Sequence, residues 1–154
     1  MPLPFIVTNV SIYRGIAEDA YAKMQELREA ARRPRGDGGW VVTYDPDHRD
    51  FRYACIATVF VGIWLEAATH LAIVRDHGVE KAREFDRRLY EDKLRLLGYT
   101  DGVLIERAAR LRRARNELVH EKAHLDSGEI RFAQDEADNA HDLLVALKDL
   151  DSPR

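Results

Sequence analysis

The sequence predicts an all-α chain, folded as an antiparallel bundle of four to five helices, from three observations. Long stretches carry good helix formers with apolar residues at helical spacing. Short Gly-, Pro- and Asp-containing turns separate them. The one extended-looking run, Trp40 to Tyr44, has no convincing partner strand. At 154 residues, 45% hydrophobic and 33% charged, the chain reads as a single domain, 1–154, long enough to bury a core.

Taken in order, Ile12 to Arg33 forms the first helix, broken by little beyond Gly15 and ended by the loop Pro34-Arg35-Gly36-Asp37-Gly38-Gly39. Asp45-Pro46 reads as an N-cap followed by proline in the first turn of a second helix that runs to about Asp76. That helix is apolar nearly all round from Ala54 to Val74, which places it in the middle of the core. Gly78 separates it from a third helix, Val79 to Leu97, capped by Gly98. Thr100 and Asp101 are both suitable N-caps for a fourth, Val103 to about Ala123. Asp126-Ser127-Gly128 turns the chain, and Ile130-Arg131-Phe132 brings an apolar patch before the last helix, Gln134 to Leu150. Its core stripe is Ala133, Ala137, Ala140, Leu144 and Leu147. There is no internal repeat and no sustained heptad pattern.

The net charge of −3 gives no global signal for nucleic acid. The single cysteine, Cys55, excludes an internal disulfide and suits a reducing compartment. The N-terminal segment does not read as a secretory signal, and the apolar stretch Tyr53 to Leu65 is too short for a membrane span. The expectation is a cytoplasmic protein with no membrane contact.

The fourth helix carries the chemistry. With Leu104 as origin and about 100° per residue, Ala108, Leu111, Leu118 and Val119 fall within about 60° of it, and Arg115 at about 20° lies inside that apolar stripe. A guanidinium there is costly unless paired or opened to a cleft. Two readings stay open: Arg115 is a buried structural ion pair, with Glu66 as partner, or it lines an interface or cleft for an anionic ligand. Glu66 could also face that cleft in a supporting role. Asn116 and His120 share a face one turn apart, but His120 lies about 140° from Arg115. One straight helix therefore does not aim both at one phosphate. Either the helix loosens near His120, or a second subunit completes the site, which argues for a homodimer.

The same helix is basic. Arg107, Arg110, Arg112, Arg113, Arg115 and Lys122 against Glu106, Glu117 and Glu121 give +3 from Val103 to His124, leaving −6 elsewhere. Such a stripe is the footprint of a phosphate or RNA binder. It is more commonly the footprint of a solvated arginine-rich face that only supports its helix.

The hexapeptide RNELVH, Arg115 to His120, resembles the signature of HEPN domains (higher eukaryotes and prokaryotes nucleotide-binding): Arg, often followed by Asn, then His a few residues on. The likeness extends through the arginine-rich approach Leu111 to Ala114 and the turn and final helix after His120; the first 98 residues match only in being helical. The resemblance implies a helical bundle that dimerises with both motifs at one cleft. It implies a metal-independent endoribonuclease needing no cofactor, commonly a toxin of toxin–antitoxin or phage-defence systems. His120 would then be the general acid/base, Arg115 would stabilise charge on the phosphorane-like transition state, and Asn116 would orient the phosphate or His120. The product would be a 2′,3′-cyclic phosphate. One subgroup is silenced by a minimal nucleotidyltransferase antitoxin that modifies a Tyr two residues after the His. That position here is Lys122, which leaves the antitoxin protein open.

Two other readings compete. His120 to His124 spells HEKAH, a formal zinc-hydrolase pattern with His120 and His124 as ligands, Glu121 as base and Glu136 as a third ligand. Lys122 beside the metal and the turn just after His124 weaken it. The third reading is a non-catalytic helical module that binds RNA or protein. Elsewhere, His70 and Glu66, one turn apart, are expected as a satisfied buried pair. His48 and His77 are expected at helix ends, His141 at the surface, Trp40 and Trp64 as core or loop anchors, and the glycines at 36–39 as a plain loop.

Overall fold

The apolar segment that belongs in the middle of the core is there in the computed structural model, as helix α2, Arg49–His77. The structure describes residues 8–43, 45–119 and 133–152. Around α2 stand α1 (Val10–Ala31), α3 (Val79–Phe85), α4 (Tyr90–Leu96), α5 (Gly102–Val119) and α6 (Ala133–Ala146). All five pack against α2, and α6 also packs against α1 and α5. By length and composition alone α2 could cross a membrane, but more than half of that window is buried inside the bundle, as in a core helix.

The main core joins Ala17 of α1, Val61, Trp64, Leu65 and Ala68 of α2, Leu94 of α4, Leu111 of α5, and Leu143 and Leu144 of α6. Trp64 is fully buried, and its indole N–H reaches Asp151 Oδ2 at 3.0 Å, so the ring is both packed and polar-satisfied. Arg14 reaches the other Asp151 oxygen at 3.3 Å, which ties the C-terminal turn to α1. A second, smaller core of Ala20, Met24, Ala54, Ala57 and Ala137 closes the end near the N-terminus of α2. His141, expected at the surface, stacks on Tyr21 with ring centroids 3.9 Å apart.

Two elements differ from the sequence expectation. Trp40–Val42 (β2) does have a partner: Arg32–Pro34 (β1) pairs with it antiparallel, Arg32 opposite Val42 and Pro34 opposite Trp40. Pro34 disfavours helix at Arg33, so the chain leaves α1 already extended. Gly38, at φ 84°, then lets the turn close with Arg35 N donating to Gly39 O at 2.7 Å. Trp40 is no anchor, being 63% exposed on this hairpin.

The single helix expected over Val79 to Leu97 is two, α3 and α4, with Asp86 to Leu89 between them. No Gly or Pro marks the break. Tertiary contacts hold it: Lys93 of α4 donates to the carbonyl of Asp86 at 3.1 Å, capping the end of α3, while Tyr90 buries itself against α2. Asp45, read as the cap of α2, accepts from the N–H of Asp47 at 3.1 Å and of Arg49 at 3.0 Å, so Pro46 lies in a turn and the helix begins at Arg49. At α5 the cap is Asp101, whose carboxylate accepts from Val103 N at 2.9 Å.

Candidate anion site on α5

Helix α5 buries Ala108, Ala109, Leu111 and Ala114 and turns its arginines outward and sideways. Four of the five are held by carboxylates. Arg107 pairs with Asp142 at 2.7 Å, and Arg110 grips Glu136 through two bonds of 3.0 and 3.1 Å, both reaching α6. Arg112 grips Glu91 of α4 at 3.0 and 3.3 Å, and Arg113 lies 2.8 Å from Glu106 within α5. Three of these arginines thus tie α5 to its neighbours, and Arg113 pairs within α5. Glu136, named above as a third zinc ligand, is one of their anchors.

The pairings shift the acids and bases in opposite senses. Burial would raise the Glu91 carboxyl, but the Arg112 fork overcomes it and holds Glu91 below the ordinary carboxylate range. Donating to Glu91 and Glu136 raises Arg112 and Arg110 in turn.

Arg115 differs from these four. Among the described residues it has no ion pair. Its Nη1 donates to the Tyr90 hydroxyl at 3.1 Å, and that hydroxyl donates to the carbonyl of Gly62 at 3.2 Å. Burial raises the Tyr90 phenol, with the positive charge of Arg115 opposing, so the hydroxyl stays protonated and can make both bonds. The Nε of Arg115 is buried and has no hydrogen-bond partner among the described residues.

Glu66 is not the partner of Arg115. It pairs with the buried ammonium of Lys93, and His70 stands exposed rather than in a buried pair with Glu66. Glu66 does lie near Arg115 on one surface. Arg115, Glu66, His70, Tyr13, Thr8 and Asp86 line one cavity of about 410 Å³ between α1, α2 and the α3–α4 turn. Sequence reasoning set His70 aside because a His four residues from a Glu on an apolar helix is usually a satisfied core pair. Tyr90 and Lys93 carried no signal, since the break that aims them was invisible. Asn116 is exposed and does not line that cavity, and Val119 beyond it is 53% exposed, so the apolar stripe of α5 ends in the open.

His120, Glu121, Lys122 and His124 lie outside the described residues, as do Asp126 to Gly128 and Ile130 to Phe132. The predicted juxtaposition of Arg115 with His120, and the HEKAH alternative, therefore rest on sequence. Among the described residues no cluster of His, Cys, Asp and Glu is arranged to hold a metal.

Compared with known families, curated proteins and solved structures, the chain matches no family model, no curated protein and no solved structure.

Proposed function

We propose that this chain is a HEPN-type, metal-independent endoribonuclease that works as a homodimer, a toxin restrained by a partner antitoxin protein. One observation carries the reading. Of the five arginines on α5, Arg115 alone has no carboxylate partner among the described residues, and it lines a cavity large enough for a phosphate and its ribose. A guanidinium in that setting keeps its charge and its remaining donors for an anion. RNELVH supplies the second part, with His120 five residues on as the acid/base.

In this reaction a ribose 2′-hydroxyl attacks the adjacent phosphorus. The 2′-O–P bond forms and the P–O5′ bond breaks. His120 takes the 2′ proton and returns it to the departing 5′ oxygen, and Arg115 stabilises the charge that builds on the non-bridging oxygens. Asn116, exposed one turn before His120, is assigned to orient the phosphate or the imidazole from the solvent side. The direct RNA contact falls to Arg115 and to Lys122. Arg107, Arg110, Arg112 and Arg113 are already engaged.

The deciding experiment expresses wild type and His120→Ala side by side and incubates each purified protein with RNA, with and without EDTA. Cleavage by wild type only, unaffected by chelator and ending in 2′,3′-cyclic phosphate, is the expected result. Loss of activity on chelation would favour the HEKAH zinc reading instead. Equal effects of both proteins, or of neither, would favour a non-catalytic module, a role that the engaged arginines also suit.

A further inference from the structure

The middle of α2 contains a glycine where a helix in a packed core ordinarily gains about 1 kcal/mol from alanine. At Gly62 the reason is steric. A Cβ built there would lie 2.5 Å from Arg115 Cδ and 3.2 Å from Arg115 Nε, and Gly62 has no positive φ that would itself call for glycine. The Arg115 stem therefore crosses α2 at the one place where the helix has no side chain. The crossing is locked from the far side. Tyr90, placed by the α3–α4 break, accepts from Arg115 Nη1 and donates to Gly62's own carbonyl. Gly62, Tyr90 and Arg115 form a closed triangle. Nε is buried beside it and one N–H of Nη1 is committed to Tyr90, so the remaining N–H groups of Nη1 and Nη2 are the donors left to a ligand.

We infer that Gly62 and Tyr90 are positioning residues: a notch and a latch that hold Arg115 in one rotamer with its guanidinium edge presented to the cavity shared with Glu66 and His70. An arginine left free to rotate would lose several rotamers on meeting phosphate; a latched one has already given them up, and so acts more strongly in the transition state. The consequence for catalysis rests on the ribonuclease reading above, but the seating itself does not.

The test therefore has two arms. The first follows the Arg115 Nε–Hε resonance by NMR, identified by its absence from Arg115→Lys. In wild type it should exchange slowly with solvent, because Nε is enclosed. In Gly62→Ala it should move and exchange fast, because the added methyl displaces the stem. Tyr90→Phe, which keeps the ring in the core, should show the same change more weakly and serves if Gly62→Ala does not fold. A resonance unchanged in both variants overturns the inference. The second arm measures RNA cleavage: kcat should fall roughly 10- to 100-fold in Gly62→Ala with KM within about twofold. A fall of similar size when Gly62→Ala is added to Arg115→Lys would mean that the methyl acts elsewhere, and would also overturn it. If no variant, wild type included, cleaves RNA, the function is wrong, and the first arm still decides the seat.

Discussion

Helix α5 holds two kinds of arginine, and the contrast between them shows what turns a cation into a site. Arg112, 29% exposed, lies flat against Glu91 in a two-bonded fork and serves to fasten α5 to α4. Arg115, three residues on, is held instead by a phenol and a gap in a neighbouring helix. Neutral holders leave its charge uncancelled; a carboxylate cancels the charge it holds. Position on the helix did not make this difference, and neither did residue type. The partner did.

The strongest way to break the comparison is to remove each arginine. Arg115→Ala should cost roughly 10²- to 10³-fold in kcat for RNA cleavage while leaving the urea midpoint nearly in place. If the midpoint collapses instead, Arg115 is a structural residue like its neighbours. Arg112→Ala should do the reverse, lowering stability by about 1–3 kcal/mol because a buried carboxylate is left without its donors, with turnover per folded molecule little changed. Replacing both members, Arg112→Met with Glu91→Leu, should recover most of that loss, since an apolar pair of similar volume does not need the ions.

A pH series sharpens the same point. Glu91 has a lower pKa folded than unfolded, so it binds fewer protons in the native state. Its contribution is present above the unfolded carboxylate pKa of about 4.3 and is lost as pH falls through the lower folded value. Thermal melts should therefore drop more steeply below about pH 4 for wild type than for Glu91→Gln. Parallel curves would mean that the fork is not made in solution.

The smallest effect is expected at the exposed ties. Arg107→Ala, whose partner Asp142 is 55% exposed, should cost under about 1 kcal/mol and leave the salt dependence of RNA binding unchanged. A shallower salt slope would show that the outer face gives up its carboxylates to phosphate, and the division drawn here would fail.

Much of the frame was readable from the chain alone. The extents of α1, α2 and α6 come close to their observed bounds, because proline, glycine and the 3.6-residue period act within a few residues of where they stand. Of the stripe Ala133, Ala137, Ala140, Leu144 and Leu147, all but the half-buried Ala133 are buried as the spacing implies. Reading Pro34 only as a stop hid the hairpin, since the same proline also starts a strand. The break between α3 and α4 was out of reach, because Tyr90 and Lys93 find their partners on α2 and in the turn between α3 and α4, not in their own turn of helix.

The sequence by itself determined that this chain is helical, that α2 is its centre, and that Arg115 falls within an apolar stripe. Tertiary structure alone decided which cations are neutralised. Arg110 meets Glu136 across 26 residues of chain, Arg112 meets Glu91 across 21, and Arg115 meets Tyr90 across 25. The physical reason is one of range. Helical periodicity is set by bonds spanning four residues, whereas an ion pair between helices depends on how far each is rotated and slid against the next, which the packing of the whole core settles together.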